Sequence, residues 1–144
     1  MRDILVDNSV AHAFANPVDP EYKRFIRWIV QKGVLVVTQR LIREYTASSA
    51  GCAANTSLPA LVDHLTRHGR LAICGKAKLA EFKIRKHVRR RLRSNWQDHD
   101  SIKAVMLSNR KLALCKDQNL CHDINNYPGH RARAARKPGL LAYE

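Results

Sequence analysis

The stretch Ile4-Leu5-Val6-Asp7-Asn8-Ser9 decides how the chain is read. Three branched apolar residues lead directly into a carboxylate, an amide and a hydroxyl. That pattern suits a buried parallel strand. In open α/β sheets the carboxyl end of such a strand is where ligands bind. Working outward, Val34-Leu35-Val36-Val37-Thr38 is a second run of the same kind. Between the two, Asp19-Pro20 reads as a helix cap followed by proline at the first helical position. Tyr22, Phe25, Ile26, Ile29 and Val30 then recur at helical spacing until Gly33. A strand, a helix and a strand make a crossover unit, which implies a parallel sheet. Leu71 to Cys74 and Leu112 to Cys115 supply third and fourth strands.

The remaining segments read as helices around this sheet. Ser9 to Phe14 is a short turn of helix broken at Asn16-Pro17. A helix from Gln39 carries Leu41, Ile42 and Tyr45 inward and Glu44 one turn in. Ala47 to Thr56 is a loop of small residues, and Ser57-Leu58-Pro59 opens a helix that Gly69 ends. Lys76 to Arg93 carries nine Lys or Arg against one Glu, with Leu79, Phe82, Val88 and Leu92 as an apolar stripe, and reads as one basic helix. Asp98-His99-Asp100-Ser101 opens a helix with Ile102, Val105 and Met106 inward, and Gln118 to Asn126 forms a short last one. The expected fold is one α/β domain over 1–126. A basic tail spans 127–144, with His130 to Lys137 expected to be mobile and Leu140 to Tyr143 a candidate edge strand.

The 144 residues hold 26 Lys and Arg against 12 Asp and Glu, a formal charge of +14. That excess favours a polyanionic partner, nucleic acid first and an acidic protein second. Its densest part, with Arg85, Lys86, Arg89, Arg90, Arg91 and Arg93, is the candidate nucleic-acid contact. No apolar run approaches the roughly 18 residues of a membrane span. Nor does the start resemble a signal peptide, so a cytoplasmic protein is expected. Cys52, Cys74, Cys115 and Cys121 form no CxxC pair, which argues against zinc. Cys74 and Cys115 read as small buried hydrophobes, with disulfides disfavoured in a cytosolic chain. Trp28 and Trp96 read as packing residues, with Trp96 the better candidate for base stacking.

The acids are few enough to follow one by one. Asp7 follows the first strand, Glu44 sits early in the helix after the second, and Asp117 follows the fourth. Residues just after parallel strands share one edge of the sheet. Asp98 or Asp100, at the start of a helix, joins them if that end turns toward the same edge. Carboxylates gathered in one pocket repel each other and raise each other's pKa. A hard divalent cation with oxygen ligands relieves this. It also stabilises charge on a phosphate and activates water.

These residues resemble a known family. The opening at Asp7-Asn8-Ser9, the stretch from Thr38 to Glu44, and above all the block from Ile102 through Leu114-Cys115-Lys116-Asp117-Gln118-Asn119-Leu120 look like a PIN domain. The likeness is to the ribonuclease toxins of bacterial toxin–antitoxin pairs, and it covers most of 3–126. It implies a three-layer α/β/α sandwich with a central, mostly parallel sheet of four to five strands. It also implies Mg2+- or Mn2+-dependent cleavage of RNA. Asp7, Glu44 and Asp117 match the first, second and last family acids, with Asp98 or Asp100 in the third place. Asp7, Glu44, Asp98, Asp100 and Asp117 are thus the expected metal ligands, and Asp7, Glu44, Asp98 and Asp117 the expected catalytic set. Ser9 and Asn8 support the first acid. An acidic antitoxin protein and a homodimer are the partners the likeness implies, besides RNA. Asn109-Arg110-Lys111 and Lys103 depart from the family by being basic. The rival expectation is a non-catalytic module that grips nucleic acid or an acidic protein through the basic helix 76–93, with the acids serving as helix caps.

Overall fold

A computed structural model describes residues 2–15, 18–48 and 57–144. The break expected at Asn16-Pro17, Cys52 and the small-residue loop from 49 onward lie outside the described residues. In chain order the strands are β1 (Asp3–Val6), β2 (Val34–Thr38), β3 (Leu71–Cys74), β4 (Leu112–Leu114) and β5 (Arg133–Ala135). The helices are α1 (Ala11–Ala15), α2 (Pro20–Gln31), α3 (Gln39–Ser48), α4 (Leu58–Arg67), α5 (Lys76–Leu79), α6 (Lys86–Arg89), α7 (His99–Leu107) and α8 (Gln118–Asn125). Short 3-10 turns cover Asn8–Val10, Trp96–Asp98 and Pro138–Leu140.

The five strands form one sheet in the order β3-β2-β1-β4-β5, every pair parallel. Right-handed crossovers then fix the layers. The chain steps outward from β1 to β3, so α1 to α4 cover one face. It returns from β3 to β4 and β5 on the opposite face, under α5 to α8. Contacts among α1, α2, α3 and α4, and separately among α5, α7 and α8, follow that division. The result is an α/β/α sandwich. The direction of travel reverses between β1 and β4, and ligands of such folds bind at that switch point.

The central strands β1, β2 and β4 are buried along nearly their whole length, as both-face coverage requires, while the outer strands β3 and β5 are more open. Local signals set the helix ends. Asp19 caps α2 through the Glu21 amide at 2.8 Å, and Ser57 caps α4 through the Ala60 amide at 3.3 Å. The carboxyl end of α2 is closed from a distance. The Arg70 guanidinium donates to Ile29 O at 2.8 Å and Gly33 O at 2.9 Å. A Cβ on Gly33 would lie 2.8 Å from the Trp28 ring and 3.0 Å from the Ile29 backbone, so the turn into β2 has no room for a side chain. Asp3 is buried at the opposite edge of the sheet and accepts the Asn109 amide at 2.8 Å and the Arg110 amide at 2.9 Å.

Three expectations are corrected. The basic segment is not one helix: α5 and α6 are single turns separated by residues 80–85, and 90–95 is again non-helical. Phe82 and Ile84 both point inward although only two residues apart, which no single helical face permits. Like charges at helical spacing add to the cost. The fifth strand lies at Arg133–Ala135, not at Leu140 to Tyr143. Its alternating Arg and Ala give little strand signal. It is held instead by tertiary contacts: the Asn125 side chain accepts the Ala134 amide at 2.8 Å and donates to Ala134 O at 2.9 Å. The stretch His130 to Lys137 is ordered by β5 rather than mobile, and the residues after it are packed as well. Tyr143 is buried, its ring centroid 4.9 Å from those of Phe25 and Trp28.

Candidate active site at the carboxyl edge of the sheet

β1 and β4 are parallel neighbours, and the Asp7 amide donates to Leu114 O at 2.8 Å. The chains that leave these strands therefore emerge side by side. Asp7 is 7% exposed, and its Oδ2 accepts the Ser9 amide at 3.1 Å. Asp117 caps α8, with Oδ1 accepting the Asn119 amide at 2.9 Å and the Leu120 amide at 3.3 Å. Among the described residues, the second oxygen of each carboxylate has no hydrogen-bond partner. Ser9 acts on both loops. Its amide orients Asp7, while its hydroxyl oxygen accepts the Lys116 amide at 2.9 Å. Beneath Asp117, the Cys115 and Cys121 sulfurs touch at 2.6 Å and Cys121 Sγ donates to Cys115 O at 3.1 Å.

α3 contributes Glu44 from the β2 side. Glu44 is paired with Arg40 one turn earlier, Oε1 to Nε 3.2 Å. The next residue, Tyr45, is fully buried and its hydroxyl donates to Val6 O, the last carbonyl of β1. Burial raises the Tyr45 pKa well above that of a free phenol, and the charges of Asp7 and Glu44 add to the rise. Tyr45 thus pins α3 to the strand that delivers Asp7.

The third acid is where the electrostatics speak. Asp98 ends the Trp96–Asp98 turn ahead of α7, and its side chain makes no capping bond. Its carboxyl is pushed up to about 6, first by partial burial, then by the charges of Asp7, Asp117 and Glu44 in that order, with Arg40 opposing. One carboxyl thus feels all three other acids. Asp100 does not press on Asp98. It lines a separate groove with Thr38, Gln39, Arg43, Cys74 and Lys76, which Arg40 also borders. Asp123 is buried for a structural reason: it accepts the Arg93 amide at 2.9 Å, and the Ser94 amide and hydroxyl at 2.8 and 2.5 Å. Those bonds fix the chain just ahead of Trp96. Asn8 donates to Ser48 Oγ at 2.6 Å, while its Oδ1 is buried with no partner among the described residues.

Cationic groups flank the acids on two sides. A cleft of about 660 Å3 beside Asp117 is lined by His12, Tyr22, Lys116, Arg136 and Lys137 among others. The Lys116 ammonium sits 5.8 Å from the centre of the Tyr22 ring. On the α7 side, Arg85, Lys86, Arg89, Arg90, Arg91 and Arg93 are all exposed. The charge of Arg89 reaches His99, whose pKa is lowered by burial first and Arg89 second. Arg40, Tyr45 and Lys116 were not singled out as site residues from sequence. Arg40 and Glu44 at i, i+4 spacing, and Lys116 beside Asp117, were the available signals.

Among the described residues, no three His, Cys, Asp or Glu side chains converge closely enough to hold a metal ion by themselves. The donor chemistry nevertheless fits a hard cation. The donors are oxygens, the amide oxygen of the next residue after Asp7, Asn8, is buried without a partner among the described residues, and Arg40 offsets only part of the rise on Asp98. Mg2+ commonly takes only one or two protein carboxylates and keeps several waters, which suits such spacing. Among the described residues no helix is long and apolar enough to cross a membrane. No protein-family model, curated protein or solved structure matches the chain.

Proposed function

We propose that the chain is a metal-dependent endoribonuclease of the PIN type, acting at Asp7, Glu44, Asp98 and Asp117. The carrying observation is the Asp98 carboxyl, raised first by partial burial and then by the charges of Asp7, Asp117 and Glu44. Acids from four separate places in the sequence act on one another at the carboxyl edge of a net-positive protein, a pattern that supports a functional site. The cationic cleft and the exposed arginines would hold a phosphate backbone around the acids. In the same proposal, Asp100 belongs to its own groove rather than to the ligand set.

A bound Mg2+ or Mn2+ would be held by Asp7 and Asp117, with Glu44 and Asp98 around it, and would supply charge neutralisation on the phosphate and an activated water. The chain's own residues do the rest. Ser9 and the first turn of α8 fix the orientation of Asp7 and Asp117. Asp98, whose carboxyl exchanges its proton near neutral pH in the metal-free protein, is the group suited to take up or return a proton beside the phosphate. Lys116 and the cleft position the strand, and the hydrolysed bond is the phosphodiester. A toxin-like role, with an acidic antitoxin covering the cationic surface, extends the same proposal to a partner.

Cleavage of a labelled single-stranded RNA tests it, with Mn2+, with Mg2+ and with EDTA. Wild type cuts only with metal, while Asp7→Asn and Asp117→Asn lose cleavage and keep an unchanged circular dichroism spectrum. Full activity in either variant removes the catalytic assignment. Tight, salt-sensitive binding with no metal-dependent turnover would instead establish the binding-module reading.

A further inference from the structure

We propose that Trp96 is a stacking platform for one nucleobase of a single-stranded RNA, next to the phosphate held at the acids. This rests on the ribonuclease reading for the identity of the strand, but its own observations concern the indole. Trp96 is 74% exposed, whereas the chain's other tryptophan, Trp28, is 7% exposed within an aromatic cluster. The sequence favoured packing for both, and for Trp96 that is overturned. An indole left in water keeps the apolar area that a stacked partner could cover.

The ring is presented, not merely left over. Asp123 anchors Arg93 and Ser94 immediately upstream. Trp96 then begins the turn that ends at Asp98, and the Asp98 amide closes it on Asn95 O at 2.9 Å. The Arg40 guanidinium lies over the indole at 5.7 Å from its centroid, and the same Arg40 is paired with Glu44. Arg40 thus backs one face of the ring and ties it to one of the four acids, while the exposure leaves area for a second planar group. Arginine stacked on an aromatic ring with a base beyond it is an ordinary mode of single-strand recognition.

The surroundings select a nucleotide over an apolar protein segment. The other exposed large apolar residues lie elsewhere: Val18 and Leu140 at the Lys116 cleft, and Ile73 in a groove with Val36, Ala72 and Leu107. Among the described residues, then, Trp96 does not share a groove with another exposed large apolar side chain. The Arg40 guanidinium lies against the ring, and the exposed Arg93 is three residues upstream in the chain. A flat apolar ring backed by a guanidinium complements a base joined to phosphates. A single strand is required, because in a duplex the base faces are already stacked.

The test uses the full chain in EDTA, so that no strand is cut. A single-stranded RNA 12-mer is titrated into wild type, Trp96→Ala and Trp96→Phe, following intrinsic tryptophan fluorescence and, in parallel, anisotropy of a labelled strand. Wild-type emission is quenched on binding, and Trp96→Ala abolishes the quenching and raises Kd about tenfold, within the range a stacked base contributes. Trp96→Phe keeps most of the affinity, and a duplex of equal length does not quench. The slope of log K against log salt is the same in Trp96→Ala as in wild type, because no phosphate contact is removed. Equal affinity in Trp96→Ala, or a bound strand that leaves the emission unchanged, overturns the platform. A protein that quenches in EDTA but never cleaves with Mn2+ supports the platform while the ribonuclease reading fails. One that cleaves without quenching overturns the platform alone.

Discussion

The hydroxyl oxygen of Ser9 accepts the amide of Lys116 at 2.9 Å, joining the loop after β1 to the loop after β4. Asp7 and Asp117 sit on those two loops, so a single hydrogen bond spans the switch point of the sheet. Ser9→Ala leaves the Asp7-orienting amide in place but unties the loops. The bond is solvent-accessible, so the loss of stability is at the low end, about 0.5–1 kcal/mol. Cleavage is expected to fall more than that figure suggests, because the spacing of two acids is loosened, and Ser9→Thr restores it. A thermal melt and a cleavage rate on the three proteins decide the matter.

Asp98 gives the metal-free protein a pH dependence of definite sign. Its carboxyl titrates at about 6 in the folded chain, against about 3.9 for an unperturbed aspartate. A raised folded pKa contributes stability that is complete below about pH 4 and is lost as pH rises through 6. At pH 7.5 the ionised Asp98 is therefore a burden. Asp98→Asn should raise the melting temperature there by about 2–4 °C, taking roughly 1 kcal/mol after discounting for solvent screening. At pH 4 the gain disappears. Millimolar Mg2+ should raise the wild-type melting temperature at pH 7.5 and do so less in Asp98→Asn. Equal melting of both proteins at both pH values would remove the repulsion argument.

The parallel sheet was legible because burial on both faces leaves an unbroken apolar run, as at Ile4 to Val6 and Val34 to Val37, although the apolar run Leu140 to Tyr143 imitates it without being a strand. The acids of β1 and β4 were legible for the same reason: a strand end is readable, and parallel neighbours must share it. Arg133–Ala135 was not, because its pairing is supplied by Asn125 and β4 rather than by its own residues. The basic segment misled because counting charges and apolar residues ignores that Phe82 and Ile84 both turn inward. Between Asp98 and Asp100 the sequence leaned to Asp98, which shares a helical face with Ile102 and Val105, and kept Asp100 close behind. In the structure the charges of Asp7, Asp117 and Glu44 act on Asp98, whereas Asp100 lines a groove with Cys74.

Asp123 offers a test of how the site is braced from behind. Its carboxylate is buried on α8 and takes four bonds from three donors of Arg93 and Ser94 at 2.5–3.0 Å. Asp123→Ala strands two backbone amides, at a cost of about 2–3 kcal/mol. The chain that carries Trp96 and Asp98 is then released from α8. Stability by denaturant melt is expected to drop by that amount, and cleavage to fall with it although Asp123 touches no substrate. Loss of stability with undiminished activity of the folded fraction would show that the Trp96–Asp98 turn is held by something else.

The exposed arginines of the α6 region differ from Trp96 in what their removal should change. Arg85 and Arg89 are exposed, and the charge of Arg89 reaches His99, the neighbour of Asp98. If they hold phosphates, each one neutralised releases counterions, and the slope of log K against log salt should shrink by about 0.7 per contact for a single strand. Arg85→Ala with Arg89→Ala should therefore weaken RNA binding most at low salt, flatten the slope by about 1.4, and leave tryptophan quenching at saturation intact. The two residues flank Val88, which is buried, so Ala at both positions keeps the turn in place. An unchanged slope would assign this face to something other than the RNA backbone. An acidic protein is then the occupant to test, by asking whether a polyglutamate competitor displaces labelled RNA from wild type but not from the double variant.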